Sequence, residues 1–270
     1  MIRDITIGQY YPSESILHKL DPRVKLAGTM LYLISLFIFS GYLGYAVAIV
    51  FLGTMIFLSK VPFSYIVRGL KPVLMLLLIT MIFNLLLTRQ GKEIASFWIF
   101  HIYDEGIEMA ILMGMRLVLL VIGTSLMTFT TTPNSLTEGI EKGLRFLNVI
   151  HVPVHEIAMM MSIALRFIPI LMEETDKIMK AQQARGADFE SGKLMQRAKA
   201  LVPLLVPLFV SAFRRAGDLA NAMEARCYQG GKGRTKMKPL RYKKRDALAY
   251  LVLALYLAMI VCSDYVPFLR

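Results

Sequence analysis

The sequence predicts an all-α, polytopic membrane protein with about five transmembrane helices and long amphipathic helices between spans four and five. Three observations carry this. Hydrophobic residues make up 56% of the 270 residues, against roughly 45–50% in soluble domains, and the mean hydropathy is +0.55. The apolar residues fall in blocks of about 15 to 25, the length a helix needs to cross about 30 Å of hydrocarbon. Polar residues gather instead in the stretch 131–245, which holds 20 of the 31 Lys and Arg residues with only ten acids.

The first span is expected at 24–40, opened by Asp21 as cap and Pro22 at a position that needs no N–H donor. The second covers 41–59 after a tight glycine-containing link. The third covers 70–88 and the fourth 107–130. The fifth, 247–261, is short and draws on Asp246 and Ser263 at its ends. Lys19, Arg23 and Lys25 precede span one, and Lys60, Arg68 and Lys71 join spans two and three. The segment between spans three and four carries two cations against four acids. Cations favour the cytoplasmic side, so the N-terminus and the 131–245 segment are expected inside. The domains are then 1–131 (four spans), 132–245 (helices on the cytoplasmic side) and 246–270 (the last span). The first fifteen residues lack a basic start followed by an apolar core, so no cleaved signal peptide is expected.

Within the polar segment a short helix is expected over 133–147, with Thr132 as N-cap and Pro133 at the first position. A long one follows over 154–184, with Pro169 as a kink, and another over 192–227, interrupted by Pro203 and Pro207. Phe209, Ala212, Ala216, Leu219 and Met223 recur at spacings of three and four, with Arg214, Arg215, Asp218, Asn221 and Glu224 mostly off that stripe, as in an amphipathic helix. Met159, Met160, Met161, Met172 and Met179 are core filling or a soft, repackable surface.

The net charge of +12 and pI near 9.7 raise nucleic acid as a partner, but no nucleic-acid-binding motif is present and cytoplasmic loops account for the cations. Cys227 and Cys262 lie in segments too unlike for a disulfide or metal pair. The basic glycine turn 230–235 lacks the Gly-Lys-Ser/Thr end of a phosphate loop and follows no strand; it ends a helix. His151 and His155 have Pro153 between them and no acidic or thiol ligands well placed, so no metal is expected. Arg116, deep in span four, is expected to pair with Glu108 or a carbonyl, as a brace or in transport. Asn84 is expected to bond between helices.

The most specific signal is a repeated tripeptide. Ala184-Arg185-Gly186 ends the first long helix and Ala225-Arg226-Cys227 ends the second, 41 residues on. Cations suit helix C-termini. Small neighbours also leave each guanidinium uncovered, able to fork onto a carboxylate or carbonyl cluster in another subunit.

With these tripeptides, residues 20–25 (LDPRVK), 131–133 (TTP), 165–169 (LRFIP), 181–186 (AQQARG) and 222–228 (AMEARCY) make the chain resemble the transmembrane T component of energy-coupling factor transporters, over nearly its whole length. These are ABC-type importers of vitamins or transition-metal ions in the prokaryotic cell membrane. The resemblance implies that Ala184, Arg185, Gly186, Ala225, Arg226 and Cys227 dock two ABC-type ATPase subunits. Cys227 stands where the family more commonly has glycine. It further implies a non-catalytic subunit without a cofactor, which passes ATP-driven movement to a substrate-binding S component on an apolar face that includes Met159, Met160, Met161 and Met172. Two rival readings are a membrane enzyme using His151, His155 and Glu156, and a self-contained secondary transporter. The first lacks further ligands, and the second lacks ionisable groups in the spans apart from Arg116.

Overall fold

The computed structural model describes residues 10–39, 41–88, 91–97, 100–187, 189, 194–231, 237 and 239–265. Its helices are α1 Pro22–Ile38, α2 Tyr42–Ser59, α3 Phe63–Leu70, α4 Leu74–Leu87, α5 Asp104–Thr130, α6 Pro133–Gly143, α7 Val154–Ala184, α8 Leu194–Glu224 and α9 Lys244–Tyr265, with 3₁₀ turns at Lys71–Val73 and Arg145–Ile150. An antiparallel hairpin, β1 Glu93–Phe97 and β2 Phe100–Tyr103, is inserted between α4 and α5 in a fold that is otherwise all-α. The chain forms two compact units, 7–140 with 240–270, and 141–239.

Among the described residues five helices are long and apolar enough to cross a membrane: Tyr42–Ser59, Phe63–Leu87, Asp104–Thr130, Val154–Ala184 and Lys244–Ser263. Their number matches the expectation but their membership does not. At 17 residues α1 spans only about 25 Å at the helical rise of 1.5 Å per residue. It still belongs with the bundle, because its Tyr32 and Leu36 sit in the bundle core. α7 is expected from the sequence to be a long amphipathic helix outside the five spans, yet residues 157–172 carry a single charge, Arg166, and the helix is apolar enough to count among the five. α9 extends further at both ends than the sequence indicated, and α6 stops at Gly143, four residues early, where a 3₁₀ turn takes over.

In the larger unit, Tyr32 and Leu36 of α1, Tyr45, Ala48 and Leu52 of α2, Leu119 and Leu126 of α5, and Tyr256 and Ile260 of α9 form one core. Without a hydrophobic force between helices in lipid, close approach depends on small residues and shared polar groups. Both are present. A Cβ on Gly123 would lie 2.4 Å from Tyr32 Cε1, so α1 and α5 touch there only because residue 123 has no side chain. Ser35 Oγ and the Tyr256 hydroxyl are 2.7 Å apart, and the Phe51 and Tyr256 rings stack at 4.1 Å.

The caps follow the local rules. The Asp21 carboxylate accepts from the Arg23 N–H at 3.0 Å, with Pro22 at the first helical position, and Thr132 Oγ1 accepts from the Ser135 N–H at 3.3 Å. Buried Asp246 reaches further, accepting from the Asp21 N–H at 2.9 Å and the Lys243 N–H at 2.7 Å. Ahead of α1, the Tyr11 N–H donates to Phe129 O at 3.0 Å. His18 Nε2 lies 2.9 Å from Tyr11 O and Nδ1 lies 2.7 Å from Ser15 Oγ, and burial pushes this imidazole below its usual 6.5. Two expectations are corrected. Asn84 donates to Thr80 O in its own helix at 2.8 Å. Arg116 does not pair with Glu108, which accepts from the Tyr42 hydroxyl instead; its guanidinium lies 5.8 Å from the Phe37 ring and 5.9 Å from the Tyr45 ring.

In the smaller unit α7 and α8 pair antiparallel. Gln182 Nε2 lies 3.4 Å from Pro203 O. Arg215 donates to Glu174 at 2.8 and 3.1 Å, and the Ser211 hydroxyl donates to the same carboxylate. Ile163 and Phe167 face Ala216, Leu219 and Met223 across a shared cleft. Past the end of α8, the Tyr228 hydroxyl meets Met159 Sδ at 3.1 Å. Phe209 does not lie in this seam. It is 61% exposed and stacks on Phe213, which is 73% exposed.

Candidate docking site at the helix tips

Both tripeptides form the same backbone device. At the end of α7, Arg185 is the C-cap residue and its N–H bonds Gln182 O at 3.0 Å. The Gly186 N–H bonds Gln183 O at 2.9 Å and the Ala187 N–H bonds Gln182 O at 2.9 Å. At the end of α8 the Arg226 N–H bonds Met223 O at 3.2 Å, the Cys227 N–H bonds Glu224 O at 2.8 Å and the Tyr228 N–H bonds Met223 O at 3.0 Å. Each is a Schellman closure, whose residue after the cap adopts a left-handed backbone: φ is +88° at Gly186 and +54° at Cys227. The closure satisfies the last carbonyls with backbone alone and turns the chain sharply away. Ala184, Arg185, Gly186, Ala225, Arg226 and Cys227 are all exposed.

Because the helices run antiparallel, the structure keeps the two arginines apart. Arg226 lies beside the start of α7 and Arg185 at its far end. The stretch from Met159 to Arg185 measures about 40 Å at the helical rise. Beside Arg226 a groove of about 670 Å³ runs along α7. Its lining includes Met159, Ile163, Phe167 and Met223 with the cations Arg166 and Arg226, and no acidic side chain among the described residues lines it. An exposed apolar groove whose charged lining, among the described residues, is two cations suits a partner that brings a carboxylate on an apolar surface.

Residues 13–237 match the family described as CbiQ, cobalt transport protein. The chain is 58% identical over 252 residues to the energy-coupling factor transporter transmembrane protein EcfT of Clostridium kluyveri, covering 93% of each chain. It is 50% identical to EcfT of Ruminiclostridium cellulolyticum, over 99% of this chain and all of that one. It is 46% identical to EcfT of Bacillus subtilis over the full length of both. The chain belongs to the family of energy-coupling factor transmembrane proteins. It is therefore a multi-pass membrane protein of a transport family, as its apolar helices require.

The other candidates of this family member divide. Met160 and Met161 are exposed, at 58% and 42%, whereas Met172 is half-buried and Met159 lies in the groove under Tyr228. His151 caps the 3₁₀ turn with a left-handed backbone. His155 Nδ1 pairs with Glu141 Oε1 at 2.9 Å, and Glu156 is exposed. The histidines and Glu156 thus form no common cluster. Sequence reading missed Tyr228, Glu141 and Gly231 as neighbours of the second tip: the antiparallel pairing brings Tyr228 and Gly231 to the start of α7, and the turn between α6 and α7 brings Glu141 to His155.

Proposed function

We propose that this chain is the non-catalytic coupling subunit of an ABC-type importer of vitamins or transition-metal ions. Two partner ATPases dock on Arg185 and Arg226, and ATP-driven closure moves α7 and α8 as stiff levers against a substrate-binding S component. The observation that carries this reading is the pair of identical, exposed Schellman tips presenting arginines at opposite ends of one helix pair. One ATPase at each tip fits that separation. Pro169, Pro203 and Pro207, each inside a lever, are the pivots of this reading. Each lever offers an exposed apolar surface, Met160 and Met161 near the start of α7 and Val206, Phe209 and Phe213 in the middle of α8. We assign these surfaces, with Met159 and Met172, to the S component. Residues 1–131 and 246–270 then form the membrane domain, and 132–245 the coupling region, facing the cytoplasm with the N-terminus as the cation distribution supports.

The test is uptake by proteoliposomes containing the whole complex. Arg185→Glu with Arg226→Glu abolishes transport at equal expression, and wild-type uptake by the double variant would refute the docking role. In vesicles holding a Cys262→Ser form of this chain without its ATPases, the exposed thiol of Cys227 reacts only with reagent on the cytoplasmic side.

A further inference from the structure

We infer that His155 is a positioning residue for the second docking tip, acting through a glycine strap that runs from Arg226 back over the first turn of α7. The inference rests on the docking role proposed above for Arg226.

After Cys227 the chain folds back along α7 and meets it at two points one helical turn apart. The Tyr228 hydroxyl lies on Met159 Sδ at 3.1 Å, and Gly231 lies on the ring of His155. The two glycines in this strap have different causes. Gly230 has φ +91°, a backbone that favours glycine on its own account. Gly231 is not in that region, and its requirement is steric. A Cβ there would sit 2.3 Å from His155 Cδ2, 2.9 Å from Cγ and 3.0 Å from Nε2. Glycine at 231 is thus dictated by the imidazole, which lets backbone lie directly on the ring.

The ring cannot readily yield. Its Nδ1 is held by Glu141 Oε1 at 2.9 Å. Its Nε2 faces the strap, 3.0 Å from where a Cβ on Gly231 would sit. His155 and Met159 are four residues apart on one face of α7, so together they hold the strap against that face and set where Arg226 projects. The first tip has no such hold at Gly186, where an added Cβ would meet nothing within 4 Å.

The test is a titration of the ABC-type ATPase pair against the full-length chain in detergent, reading the half-saturating concentration beside the thermal midpoint. Gly231→Ala is relieved by displacing the strap, and Arg226 with it, so the half-saturating concentration rises about tenfold. In a His155→Ala background the same change raises it by under about twofold, because the atom it would strike is gone. The thermal midpoint stays in place in both. If Gly231→Ala alone does not accumulate, the deciding variant is His155→Ala by itself, which weakens docking at an unchanged thermal midpoint; unchanged docking by it overturns the idea. The idea is overturned by an alanine penalty of the same size in both backgrounds, by no penalty in the wild type, by failure of both variants to accumulate, or by a thermal midpoint that falls in step with docking. Arg226→Glu serves as the separate control. If it leaves docking unchanged, the docking reading itself fails and the strap with it; if it weakens docking while Gly231→Ala does not, only the strap fails.

Discussion

At Cys227 the backbone takes a left-handed conformation that an L side chain enters at a cost of about 1 kcal/mol, and the matched position on α7 is glycine. Cys227→Gly therefore stabilises the end of α8 by up to about 1 kcal/mol, less the added freedom of the unfolded chain. Slower hydrogen exchange at the amides of residues 227 and 228, which bond Glu224 O and Met223 O, is the measurement. Unchanged or faster exchange would show that the thiol is held by something other than the helix cap. This tip was legible in the sequence because capping is local: the six consecutive residues 223–228 decide it. Its supports were not, because Met159 and His155 are far from Tyr228 and Gly231 in the chain and meet them only through the α7–α8 pairing.

Helix positions were legible to within a few residues wherever apolar blocks ended at caps, as at Asp21 and Thr132. Facing was harder to read. Phe209 falls at the edge of the α8 stripe, and periodicity alone does not decide whether it turns into the seam or outward; the structure gives the seam to Ala212, Ala216, Leu219 and Met223. Helix crossings were equally hidden, since Gly123 and Gly53 look alike in apolar helices. Gly123 lies against Tyr32 at a distance no Cβ tolerates, whereas a Cβ on Gly53 would meet nothing within 4 Å. Gly123→Leu should force α1 off α5 at a cost of about 1–3 kcal/mol, seen as a lower thermal midpoint in detergent. Gly53→Leu should leave the midpoint within about 0.5 kcal/mol of wild type. Equal effects at the two positions would mean that the crossing is not at Gly123.

For the whole molecule, the sequence alone supplies two arginine tips but not their separation, because a helix pair could bring them together or hold them apart. The ladder of contacts from Gln182–Pro203 through Glu174–Arg215 to Met159–Tyr228 decides for apart, by about 40 Å along α7. That distance has an energetic consequence. Groups farther apart than about 10 Å that share no partner contribute additively, to within about 0.5 kcal/mol. If each tip engages its own ATPase, Arg185→Glu and Arg226→Glu weaken capture of the ATPase pair independently. The free-energy loss of the double variant then equals the sum of the single losses, with each loss about 2 kcal/mol or more if the arginine meets a desolvated carboxylate. The check is a double-mutant cycle on the capture affinity of the full-length chain. A coupling energy well above 0.5 kcal/mol would mean that both arginines serve one site, or that the levers reorganise when either tip is lost. Either result would replace two independent footholds with a single cooperative one, and would require the helix pair itself to change shape on docking.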